Sequence, residues 1–123
     1  MKIYIATSWK LQMEAKALAE NLRMYGHEVD FFCDPTTGRF VFSFQALEWS
    51  DTVVMLLPCG KSAHLEAGYA KGLGKKLFIY DLEKFSKGQI DVMYQFADGF
   101  AISFHHLRGM IDANEQPQRK EKP

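Results

Sequence analysis

The residues best suited to chemistry are concentrated in one stretch, Leu56 to Gly68, which reads LLPCGKSAHLEAG. Gly60-Lys61-Ser62 follows an apolar run, the order in which a phosphate-gripping loop ends, and Glu66 comes four residues later. A P-loop needs an earlier glycine, five residues before the second, so that the backbone can curl around the phosphates. That position is Met55, inside the apolar run, and it leaves no room for such a loop. A P-loop for a nucleoside triphosphate is therefore excluded.

What survives of the triplet is a helix start. Ser62 reads as an N-cap, with the free N–H groups and dipole of the helix available to an anion and Lys61 adding charge. A plain alternative stands beside it, in which Gly60 only turns the chain, Ser62 only caps and Lys61 is solvated. Glu66 lies one turn into the same helix among the small or apolar residues Ala63, Leu65, Ala67 and Gly68. A carboxylate in such company, facing a pocket, suits a nucleophile or a base. One that the helix dipole merely favours needs no function.

Other candidates carry less. Cys59 and His64 have the types of a thiol–imidazole pair, but both flank a helix start, where the ring is expected to be exposed. His105 and His106 point to different helix faces with no partners at ligand spacing, so no metal site is expected. Phe40, Phe42 and Phe44 alternate as in a strand and read as core or interface. Tyr94 and Met93, in DVMYQFAD, come near the pocket, with core packing as the default.

The elements that must hold these residues follow from pattern. KIYIAT, HEVDFFC, DTVVMLLP and KKLFIYD read as strands, and ADGFAI as a fifth. Leu11, Ala15, Leu18 and Leu22 are spaced for a helix capped by Ser8 and stopped at Gly26. A second helix runs from Ser62 towards Gly74, with Leu65, Tyr69 and Leu73 on one face. Its small residues Ala63, Ala67 and Ala70 let it lie close to a sheet. A last helix, SFHHLRGMI, is capped by Ser103. DPTTGR and EKFSKGQ read as loops. FVFSFQALEWS is ambiguous, alternating first and then turning helical. Alternating strands and helices predict a single α/β domain over residues 1–113 with a mostly parallel sheet of about five strands. The tail, 114–123, has nothing apolar to bury and is expected to be disordered. Ligands of such sheets bind beyond the carboxyl ends of the strands, which selects the loops TSWK, CDPTTGR and PCGKS.

Composition narrows the rest. Lys+Arg and Asp+Glu both number 15, so no global charge calls for a nucleic-acid polymer or an anionic membrane. No apolar run is long enough to span a bilayer, and MKIYIATSWK lacks a signal-peptide core. Cys33 and Cys59 form no disulfide framework, so the chain reads as cytoplasmic.

WSDTVVMLLPCGKSAHLEAGYAKGLGKKLFIY resembles the signature of the nucleoside 2-deoxyribosyltransferase-like family, which includes the 2'-deoxynucleoside 5'-monophosphate N-glycosidases. Asp51, Glu66, Gly68, Tyr69, Ala70, Gly74 and Lys75 fit its pattern, and KIYIATSWK is similar to its first strand and substrate loop. The resemblance covers most of residues 1–101. It implies a flavodoxin-like three-layer α/β/α fold, no cofactor, and a homodimer or higher homo-oligomer with shared active sites. Glu66 matches the nucleophile that attacks C1' of the deoxyribose, giving a glycosyl-enzyme as in retaining glycosidases. Thr7, Ser8 and Trp9 match the substrate loop, Trp9 as a stacking platform for a base. Gly60, Lys61 and Ser62 match the loop that binds phosphate in the monophosphate branch. Asp51 and Gly68 join the substrate-binding set.

The chain departs from this pattern at two acids. Ser43 stands where the family has an Asp eight residues before Asp51, and Gly60 where the transferase branch has one six residues before Glu66. Asp34 and Glu48 are the nearest substitutes, out of register. The implied function is cleavage or transfer at the N-glycosidic bond of a 2'-deoxynucleoside or its 5'-monophosphate. Two alternatives remain open: a non-catalytic nucleotide-binding protein that lost the acid, and an NAD-like glycohydrolase.

Overall fold

The computed structural model describes residues 1–32, 34, 37, 38, 40, 42–84 and 92–115. Cys33, half of DPTTGR, most of EKFSKGQ and the tail from 116 onward lie outside the described residues, as does the side chain of Met93.

Five strands form as the apolar runs predict: β1 (Lys2–Ala6), β2 (Glu28–Phe31), β3 (Thr52–Leu57), β4 (Lys76–Asp81) and β5 (Gly99–Ala101). All pair in parallel, in the order β2-β1-β3-β4-β5. This is the flavodoxin-like order, and its direction reverses between β1 and β3. Four helices connect and cover the strands: α1 (Gln12–Met24), α2 (Ser43–Trp49), α3 (Lys61–Gly72) and α4 (Phe104–Glu115). The ambiguous FVFSFQALEWS resolves into an approach and a short helix. α4 continues through Glu115, two residues beyond the expected domain end.

The period-2 alternation of the strands makes two cores. Ile3, Ile5, Val54 and Leu56 point to one face, packed under α1 and α4 through Leu18, Leu22, Leu107 and Ile111. Tyr4, Ala6, Val53, Met55 and Leu57 point to the other, under α2 and α3. There α3 presents Ala63, Ala67 and Ala70, all buried, so that its backbone lies close to the sheet. Its Leu65, Tyr69 and Leu73 are left exposed. Each core cluster is continuous, and the sheet is buried on both faces, as parallel sheets require.

The helix ends correct two of the expected caps. Ser8 does not cap α1; it precedes a 3-10 turn, Trp9–Leu11, and makes no side-chain cap bond. Ser62 lies inside α3, whose N-cap is Gly60 in an extended conformation. Two other signals hold. Gly26 stops α1 at φ +92°, a left-handed conformation that glycine adopts without penalty. Ser103 Oγ accepts from the His106 N–H at 3.1 Å, capping α4. Among the described residues, no helix is long and apolar enough to cross a membrane.

Candidate active site

The loops after β1 and β3 part at the reversal of strand order and leave a cleft of about 440 Å³ at the carboxyl edge of the sheet. Thr7, Ser8 and Trp9 form one wall, and Gly60, Lys61, Ser62 and Ala63 the other. Phe32 and Ser43 close the side, and Glu66 lies within. Seven of the expected site residues are thus brought together: Thr7, Ser8, Trp9, Gly60, Lys61, Ser62 and Glu66. Trp9 is 66% exposed, a ring open to stacking by a ligand.

Glu66 is held by two hydroxyls. The Tyr4 phenol donates to its Oε2 at 3.3 Å, and the Ser43 hydroxyl makes a second side-chain hydrogen bond to it. Burial raises the Glu66 carboxyl above the ordinary glutamate value, and the bonds from Ser43 and Tyr4 counter part of that rise. The Tyr4 phenol is itself raised, first by burial and then by the charge of Glu66, so it stays a donor. The arrangement is a half-buried carboxylate with two neutral donors and, among the described residues, no ion pair. Such a group keeps basicity and nucleophilicity that a salt bridge would quench.

Ser43 therefore stands beside Glu66 in the cleft, where it brings a hydroxyl and no acid. Neither expected substitute supplies one. Asp34 is paired with Arg23 at 2.6 Å, and Glu48 accepts from the Tyr69 hydroxyl at 2.9 Å on the outside of α2. The carboxyl group on the Ser43 side is Asp30, from β2. It is 3% exposed, accepts from the Thr37 hydroxyl, and lines an adjoining cavity of about 200 Å³ with Tyr4, Ser43, Phe40 and Phe42. Its charge acts on the Tyr4 phenol in the same sense as that of Glu66. Sequence reasoning missed both Tyr4 and Asp30. The available signal was a polar tip inside each buried strand, because a buried tyrosine or aspartate needs a partner.

Three expected binding residues fall elsewhere. Asp51 precedes β3, at the amino end of the sheet, where its Oδ2 accepts from the Lys2 N–H at 2.9 Å. It fixes the pairing of β1 with β3 and does not line the cleft. Gly68 is exposed on α3, and a side chain there would meet nothing within 4 Å. Tyr94 is buried in the α2–α3 core, behind α3, and outside the cleft. His64 is not exposed as expected. It stacks on Tyr94 with ring centroids 5.7 Å apart, and its Nε2 lies 3.0 Å from the Tyr94 hydroxyl. Cys59 Sγ is 3.7 Å from His64 Nδ1, but burial and the charge of Glu66 push its thiol up to about 12, the wrong direction for a nucleophile. Phe42 and Phe44 stack on each other at 5.7 Å, both exposed, while Phe40 packs against the core and Trp49.

No protein-family model matches the chain, and no curated protein does. Solved structures do. A 2-deoxyribosyltransferase of the psychrotolerant bacterium Bacillus psychrosaccharolyticus aligns with TM-score 0.68 at 16% identity, over 87% of this chain and 90% of that one. The response regulator TrrA of Thermotoga maritima aligns at 0.64 and 18%, over 92% and 98%. A CheY-like receiver domain of Methylobacillus flagellatus aligns at 0.64 and 16%, over 90% and 95%. The likeness is one of fold. The side chains in the cleft must carry the functional argument.

Proposed function

We propose that the protein cleaves the N-glycosidic bond of 2'-deoxynucleosides or their 5'-monophosphates, with Glu66 as nucleophile. The observation that carries this reading is the half-buried Glu66 carboxylate, held by the Tyr4 and Ser43 hydroxyls in an open cleft beside Trp9. A Glu66 oxygen attacks C1' of the sugar as the C1'–N bond breaks, and the departing base takes the bonding electrons and a proton from solvent water. Asp30, beside Tyr4 and Ser43 in the adjoining cavity, is the carboxyl group placed to serve a base leaving on that side. Water or a second base then attacks C1' and releases Glu66, so the acceptor decides between hydrolysis and deoxyribosyl transfer. The Gly60–Ser62 turn and the Lys61 ammonium favour a substrate carrying a 5'-phosphate. The fold shared with the 2-deoxyribosyltransferase supports the same reading.

The receiver-domain likeness is one of fold and brings no functional reading of its own. Among the described residues, three metal-ligating side chains gather only at His27, Asp112 and Glu115, near the amino edge of the sheet and away from the cleft. A non-catalytic nucleotide-binding role keeps one point in its favour, since among the described residues Glu66 is the single carboxylate lining the cleft itself. One assay decides. The protein is incubated with deoxynucleosides, their 5'-monophosphates and NAD, and free base is measured by chromatography. Base release by wild type and none by Glu66→Ala is the expected result. Binding without release supports the non-catalytic role, and release of nicotinamide alone supports a dinucleotide glycohydrolase. Size measurement in solution tests the proposed homo-oligomer.

A further inference from the structure

The turn from Cys59 to Lys61 is a thin wall between two hollows. In front of it lies the cleft with Glu66, and behind it an open depression lined by Cys59, His64 and Leu65; Gly60 and Lys61 border both. The turn has one backbone restraint, the His64 N–H donating to the Gly60 carbonyl at 3.3 Å, but Gly60 makes no side-chain cap bond and carries no side chain to pack. Its brace comes from behind. His64 Nδ1 lies 2.8 Å from the Gly60 carbonyl oxygen, and its Nε2 lies 3.0 Å from the hydroxyl of buried Tyr94.

The carbonyl can only accept, which fixes the roles: Nδ1–H donates to Gly60 O, and Nε2 accepts from the Tyr94 O–H. Tyr94 is anchored in the core by its ring, edge-on to Phe100 at 6.5 Å. A chain of Phe100, Tyr94, His64 and Gly60 therefore ties the turn to the far side of the domain. We infer that His64, backed by Tyr94, is a positioning residue that sets the Gly60–Lys61 turn for the 5'-phosphate and so decides between monophosphate and nucleoside substrates. The inference rests on the N-glycosidase reading for its substrate, but the geometry that it assigns is separate from that of Glu66. Neither His64 nor Tyr94 lines the cleft itself, so their loss leaves sugar and base contacts in place.

The test uses the full chain with 2'-deoxyadenosine 5'-monophosphate and 2'-deoxyadenosine as probes. Tyr94→Phe keeps the stack and removes only the hydroxyl, and His64→Ala removes the whole brace. In base-release kinetics, KM for the monophosphate is expected to rise about fivefold in Tyr94→Phe and about tenfold or more in His64→Ala, the range for loss of one or two hydrogen bonds. The kcat values, and KM for the nucleoside, stay at wild-type level. Equal losses on both substrates, or no change in the monophosphate KM, overturn the inference. If wild type releases no base, the N-glycosidase reading fails alone, because calorimetric binding of the same two probes still reads the brace. Weaker monophosphate binding in the variants with unchanged nucleoside binding then upholds it, and equal or absent monophosphate binding in wild type and variants overturns it. Thermal melting identifies any variant that loses the fold, and Tyr94→Phe, the gentler change, then decides.

Discussion

Two carboxylates bracket β3, Asp51 before it and Glu66 beyond it, and they are treated in opposite ways. Asp51 is exposed and accepts from a peptide N–H, a fixed donor that belongs to the sheet. Glu66 is half-buried, and its partners are two hydroxyls, donors that can rotate and that carry no net charge. The first arrangement fastens two strands. The second leaves a carboxylate under desolvation, raised in pKa and open to a ligand. The difference shows that residue type and proximity to one strand do not place a carboxylate in a cleft; the end of the strand does.

The sharpest way to break this comparison is to remove each carboxylate in turn. Glu66→Ala should lower kcat/KM for base release by about a thousandfold or more, as loss of a nucleophile does. Asp51→Ala should leave kcat/KM within about twofold and cost on the order of 1 kcal/mol in denaturant unfolding, one surface hydrogen bond. If the two effects are interchanged, the assignment is wrong. A smaller change probes the anion seat. Lys61→Ala should raise KM for the monophosphate by about tenfold and leave that for the nucleoside unchanged, a loss of one charge-assisted contact.

The pH profile sharpens the contrast further. As the proposed nucleophile Glu66 must be ionised to attack, and its folded pKa lies above the ordinary value of 4.5, so activity should rise with pH through a limb displaced upward from that value. Ser43→Ala and Tyr4→Phe each remove a bond that favours the carboxylate, and each should move this limb to still higher pH. A limb that moves down, or stays, refutes the hydrogen-bond roles given to them. Stability follows the same sign. A carboxyl whose pKa is raised on folding favours the folded state while protonated and loses that favour as pH rises through the folded pKa. Glu66→Gln should therefore be more stable than wild type at neutral pH, with the margin closing as the pH falls towards the ordinary glutamate value. Melting temperatures across that interval check it.

Much of this arrangement was legible in the chain. β-branched runs located the strands, Gly26 and Ser103 located two helix ends, and the spacing from Gly60 to Glu66 located the cleft wall. What escaped was set by contacts between elements distant in sequence. Tyr4 looks like any strand aromatic until α3 brings Glu66, 62 residues away in sequence, to its hydroxyl. Ser43 looks like the loss of an acid until α2 points it at the same carboxylate. The Ser8 and Ser62 caps failed for a local reason: a 3-10 turn and an extended glycine took the helix starts, and a serine near a start is only a statistical sign of one. Tyr94 was expected at the pocket and instead stands behind its wall, which no linear spacing distinguishes.

The reversal of strand order between β1 and β3 has a further consequence. The hollow there comes from the path of the backbone, so no side chain is needed to keep it open. Residues such as Ser43, Trp9 and Lys61 can change without threatening the fold, whereas Ala63, Ala67 and Ala70 cannot grow without lifting α3 from the sheet. Tolerance to substitution is thus distributed unevenly, wide at the mouth of the cleft and narrow beneath it. That separation makes the rim the place to alter the cleft by design.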